Sequence, residues 1–116
     1  MYTVYALVDP RDNKVHYVGM TEDVYKRFIN HITGRSGSNY EKNAWVHGMR
    51  NASVMVRMDV LEQTEDIGQA HIREMYWVNH FIQLQHPITN KMRKMPKVAY
   101  TPKASIAAIE ATLMVA

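Results

Sequence analysis

TVYALVDPRDNKVHYVGMTEDVYKRFINH, running from Thr3 to His31, decides the fold. Thr3 to Val8 and Val15 to Met20 are β-prone runs. Between them lie Asp9, Pro10, Asp12 and Asn13, which favour tight turns through a fixed φ or through side-chain bonds to the backbone. The stretch therefore reads as a hairpin. Thr21 follows as the expected N-cap of a helix, with Glu22 and Asp23 in its first turn, where the positive end of the helix dipole favours acids. Arg27 and His31 are four residues apart and project from one face of that helix. Tyr5 and Tyr17 sit on strands that should pair. Two phenols, a guanidinium and an imidazole are thus expected to converge on one side of a small sheet.

A chain of 116 residues has room for one domain with a modest core. Apolar residues at 47% and charged residues at 22% fit a water-soluble globular fold. Cysteine is absent, which removes disulfides, thiolate zinc sites and a cysteine nucleophile. The first residues carry no basic segment and their apolar run breaks at Asp9, so no signal peptide is expected. The apolar tail from Ala104 to Ala116 contains Glu110 and is too short for a bilayer, which takes about 20 apolar residues. The expectation is a cytoplasmic protein with no membrane partner. Net charge is only +3, but it is unevenly spread. Lys26, Arg27, Arg35, Lys42, Arg50 and Arg57 are offset over their stretch by Glu41 alone. Lys91, Arg93, Lys94, Lys97 and Lys103 have no acid among them, whereas acids gather between Asp59 and Glu74. Such clustering suits a phosphate backbone at one surface, with a solvated basic face as the alternative.

Further along, Gly34 to Asn39 reads as a loop bordering the Arg27/His31 helix, and Asn39 as the cap of a helix from Tyr40 to about Arg50. In that helix Trp45 and Met49 are assigned to packing. Ser53 to Leu61 alternates cleanly: Val54, Val56, Met58 and Val60 on one face, Met55, Arg57, Asp59 and Leu61 on the other. It supplies a third strand. Thr64 or Glu65 starts the longest helix, which ends near Leu84 and carries Ile67, Ala70, Trp77, Val78, Phe81 and Ile82 along an apolar line. Glu74 lies seven residues from both Ile67 and Phe81, on or beside that line. A buried carboxylate is costly unless it is paired or binds a metal, so a salt bridge, a small rotation off the stripe and a metal site are the three readings. His71 and Glu74 share a helix face, but two ligands do not make a zinc site. His16, His47, His80 and His86 read as surface or half-buried side chains, and the methionines as core filler. Thr101-Pro102 reads as an N-cap and first helical position for a last helix over Ala104 to Val115. The expected fold class is α+β: a small three-stranded antiparallel sheet flanked by helices, residues 1–92, followed by a basic linker and C-terminal helix, 93–116, packed on the domain or on a partner copy.

The Thr3–His31 pattern resembles the GIY-YIG nuclease family. Thr3-Val4-Tyr5 stands where the family has its first tripeptide and Tyr17-Val18-Gly19 matches the second; Arg27 and His31 follow at the family's spacing. Asn90 fits an Asn that the family carries shortly after its Glu helix. The resemblance covers residues 3 to about 90. Gly-Ile of the first motif is replaced by Thr3-Val4, the residue before Asn90 is Thr89 instead of an apolar one, and the Lys that repair-type members carry after the second motif is Met20. His31 fits the homing and restriction endonuclease branch.

The resemblance implies an endonuclease hydrolysing a DNA phosphodiester bond at a single divalent-metal site, Mg²⁺ or Mn²⁺. Its catalytic set would be Tyr5, Tyr17, Arg27, His31, Glu74 and Asn90, with Glu74 as the metal ligand and Asn90 holding the Glu74 region in position. Mg²⁺ is commonly held by one or two carboxylates while keeping several waters, so one Glu suffices. Arg27 would pair with the phosphate. Tyr17 would orient or deprotonate the attacking water, with Tyr5 and His31 completing the relay and His31 the rival base. A phenol needs a nearby cation to act as a base at neutral pH. Arg35, Lys91, Arg93, Lys94 and Lys97 are the expected phosphate contacts. A catalytically inactive nucleic-acid-binding module of the same fold is the competing reading, and a structural or assembly protein with a basic face a third. RNA or branched DNA as substrate, a homodimer, and a separate DNA-targeting domain or partner all stay open.

Overall fold

The computed structural model describes residues 1–34, 37 and 39–91. In chain order these form β1 (Tyr2–Asp9), β2 (Lys14–Thr21), α1 (Val24–Ile32), α2 (Tyr40–Asn51), β3 (Arg57–Thr64) and α3 (Ile67–Gln83). The strands make one antiparallel sheet in the order β2-β1-β3. The α+β class and the three-stranded sheet stand as expected.

The central strand organises the core. Every residue from Thr3 to Asp9 is buried, and the apolar ones alternate between two packing clusters. Val4, Ala6 and Val8 join Val18 and, from α3, Trp77 and Val78 on one face. Tyr5 and Leu7 join Val46 and Met49 of α2 and Val56 on the other. A strand covered on both sides reads as a nearly continuous apolar run, as Thr3–Val8 does. The turn closes on Asn13, which takes a left-handed conformation (φ 60°) that Asn tolerates well.

Three boundaries differ from the sequence reading. β2 continues through Thr21, so Asp23 and not Thr21 caps α1, its side chain accepting from the Lys26 amide. Glu22 and Asp23 precede the helix, and the Thr21 hydroxyl instead accepts from the Asp23 amide. The third strand starts at Arg57, not Ser53, because Ser53 turns left-handed (φ 58°) as α2 ends and the Val54 amide still bonds Met49 O. It also carries a bulge: Val4 pairs with Glu62 but Tyr5 with Val60, leaving Leu61 unmatched. Val54, Val56 and Met58 share a cluster as expected, while Val60 is 54% exposed and Leu61 packs on the opposite face. Finally, α3 is capped by Asp66 and begins at Ile67, which is 52% exposed and does not join the apolar line. Asn39 caps α2 as expected.

Past α3, residues 86–90 cover the outer edge of β2. The His86 ring Nδ1 accepts from the Val15 amide, Thr89 donates from its amide and its hydroxyl to His16 O, and the Asn90 amide brackets Val18, accepting at Oδ1 from its N–H and donating from Nδ2 to its C=O. An open edge is thereby closed without a fourth strand. Among the described residues no helix is long and apolar enough to cross a membrane. Arg35, Arg93, Lys94, Lys97 and the expected C-terminal helix lie outside the described residues, as does the segment 93–116 read as a separate unit.

Candidate active site

Tyr5 is fully buried and faces Gly19 across the β1–β2 ladder. The pairing explains the glycine. A Cβ at position 19 would meet the Tyr5 hydroxyl at 2.5 Å and its ring carbon at 2.7 Å. Without that Cβ the Tyr5 ring lies over β2 and reaches α1. There its oxygen sits 2.7 Å from His31 Nε2 and accepts from Arg27 Nε at 3.1 Å. The four-residue spacing on α1 thus ends on a single phenol oxygen. Tyr17 is a neighbour on the same face: its ring centre is 6.4 Å from that of Tyr5 and 5.5 Å from that of His31.

Electrostatically the cluster is a cation pocket around neutral rings. Burial pushes the Tyr5 phenol up, with Tyr17 adding to the effect and Arg27 opposing it. Burial likewise raises the Tyr17 phenol against the pull of Arg27. Both stay protonated at neutral pH. His31, 1% exposed, is held down to about 3 by burial and then by Lys42 and Arg27, so its imidazole is neutral.

Glu74 approaches from α3. Its field acts on both phenols and on Arg27. Burial raises its carboxyl above the ordinary value, and His71 and Arg27 partly offset this. The salt bridge considered for it does not form among the described residues: the paired acid of this region is Glu62, which accepts from Arg73 Nε at 2.7 Å and from Trp77 Nε1 at 2.6 Å. Among the described residues Glu74 makes no ion pair and no hydrogen bond, a costly state for a half-buried carboxylate. A cation beside it would relieve that cost. Among the described residues no three His, Asp or Glu side chains form a metal cage. The donor set is therefore one carboxylate, which fits a hard ion that keeps its waters and takes substrate oxygens.

Tyr5, Tyr17, Arg27 and His31 thus form one cluster with Glu74 in its electrostatic reach, and Asn90 grips Val18, the residue between Tyr17 and Gly19. Lys91 is exposed where the described chain ends. One member was not foreseen. Lys42 of α2 is buried, with Nζ 3.0 Å from His31 Nδ1 and 5.7 Å from the Tyr17 ring centre. Its signal was present: Lys42, Val46 and Met49 fall at helical spacing and are the buried positions of α2.

A model of the GIY-YIG catalytic domain matches residues 1–91. No curated protein and no solved structure gives a match. The family model spans the sheet, the three described helices and the cluster around Tyr5, and the chain belongs to the GIY-YIG catalytic domain family, whose members are nucleases that act on DNA.

Proposed function

We propose that this chain is a divalent-metal-dependent endonuclease that hydrolyses a DNA phosphodiester bond at the Tyr5–Glu74 pocket. The observation that carries the reading is the half-buried Glu74 carboxylate, which among the described residues makes no ion pair or hydrogen bond and lies within the electrostatic reach of Arg27 and two phenols. Glu74 holds the ion, Mg²⁺ or Mn²⁺. When bound, the ion supplies Lewis-acid stabilisation of the leaving 3′ oxygen. Arg27 pairs with the scissile phosphate and stabilises the charge that builds on it. Tyr17 orients the attacking water as a neutral phenol; passing on a proton requires more positive charge near it than Arg27 alone supplies. Tyr5 and His31 fix the arginine and the water site, and Asn90 fixes the strand that presents Tyr17. Lys91, with Arg35, Arg93, Lys94 and Lys97, contacts phosphates away from the cut. The same reading has the protein working in the cytoplasm.

The test is nicking of supercoiled plasmid by the full chain. Cleavage in Mg²⁺ that stops in chelator supports the reading. Plasmid binding without metal-dependent cleavage favours the inactive binding module.

A further inference from the structure

Lys42 is a charged group that the chemistry above does not use. Its side chain is enclosed, 1% exposed, on the stripe where α2 otherwise buries Val46 and Met49. Desolvating an ammonium is costly, so its place there weakens the fold unless the charge is directed at something. Among the described residues it faces His31 and Arg27 from α1 and Tyr17 from β2, with Tyr5 of β1 one step further through His31.

We propose that Lys42 is a positioning residue of this site: its ammonium donates to His31 Nδ1 and so holds the imidazole in the tautomer whose Nε2–H donates to the Tyr5 hydroxyl.

The argument is one of donors and acceptors. An ammonium can only donate. A neutral imidazole has one donor and one acceptor, so Nδ1 accepts at 3.0 Å and Nε2 must carry the proton, 2.7 Å from the Tyr5 oxygen. That oxygen also accepts from Arg27 Nε at 3.1 Å. Both of its lone pairs are then engaged, and its own O–H is left to point away from His31 and Arg27. His31 has no free lone pair, so it does not take a proton from water, and contact with the attacking water falls to Tyr17, which orients it as a neutral phenol. This last step rests on the nuclease reading; the tautomer does not. Protonating His31 would set a second donor against the ammonium, in line with the depressed imidazole. Burial and Arg27 lower Lys42 to about 8, which leaves it mostly charged at pH 7 and lets it discharge above that.

The experiment reads the His31 ring nitrogens by NMR in full-length protein labelled with ¹⁵N-histidine, without DNA or metal, near pH 6.5. The His31 signal is identified by its loss in His31→Gln. The wild type should show a bare Nδ1 and a protonated Nε2. Raising the pH through the discharge of Lys42 should populate the other tautomer. Lys42→Met should do so at pH 6.5; Lys42→Arg should keep the wild-type tautomer. A protonated Nδ1 in the wild type overturns the proposal, and that measurement needs no variant to fold. An unchanged tautomer in folded Lys42→Met also overturns it. Plasmid nicking should fall about 10-fold or more in Lys42→Met and recover in part in Lys42→Arg, the scale for groups that orient a site without touching substrate. The expected tautomer in a wild type that never nicks would support the positioning role and sink the nuclease reading instead.

Discussion

Gly19 shows how little room the site leaves. Its missing Cβ is what lets Tyr5 reach Arg27 and His31. Gly19→Ala should cost about 1–3 kcal/mol through overpacking and should abolish activity by moving the phenol, checked by urea melts beside plasmid nicking. At Tyr17 only the hydroxyl is invoked, so Tyr17→Phe should keep the melting temperature and lose most cleavage. Near wild-type cleavage by Tyr17→Phe, with His31→Ala inactive, would reverse the assignment. His31 also makes the fold acid-sensitive. Its folded pKa of about 3 lies below the ordinary 6.5, so between these values the unfolded chain binds the extra proton. The contribution is complete above pH 6.5 and is lost as pH falls towards 3, at up to about 1.4 kcal/mol per pH unit. Urea melts at pH 7, 5 and 4 should show a steeper loss for wild type than for His31→Gln. A parallel loss would mean that His31 is not neutral in the folded protein.

The elements differ in how plainly the chain announces them. β1, β2 and the Arg27/His31 face of α1 were legible because alternation, turn residues and four-residue spacing all agree there, and Asn39 is a strong cap. β3 starts later than the alternation predicts for a local reason: the strand-like pattern of Val54 and Val56 begins before pairing does, and the Leu61 bulge swaps the faces beyond it. No alternation rule detects a bulge without the partner strand. Lys42 escaped because a lysine one turn into a helix is normally solvated, and only its register with Val46 and Met49 marks it as buried. The role of Glu62 was likewise invisible, since its partners Arg73 and Trp77 come from α3. Glu62→Ala strands the buried Arg73 and should cost about 3–5 kcal/mol in a urea melt. A loss near zero would mean that the pair is solvated in solution.

At the scale of the whole molecule, the proposed catalytic cluster sits on a sheet whose two faces are covered by different helices, and basic residues precede and follow it along the sequence. A single site cuts a single strand. The monomer should therefore nick before it linearises plasmid, and direct linearisation would show a dimer acting as the unit. Neutralising Lys91, Arg93, Lys94 and Lys97 should flatten the salt dependence of DNA binding by roughly 0.9 log units for each phosphate that is no longer neutralised. An unchanged slope would make that run a solvated face.

On the nuclease reading, the Glu74 carboxylate, which has no ion pair or hydrogen bond among the described residues, holds the ion for a hydrolytic site. Glu74→Gln keeps the size of the side chain and removes the charge. Measured together, cleavage in Mg²⁺ should fall by ~10² or more, DNA binding in chelator should hold or tighten, and the melting temperature should hold or rise. Unchanged cleavage by Glu74→Gln would contradict the account outright.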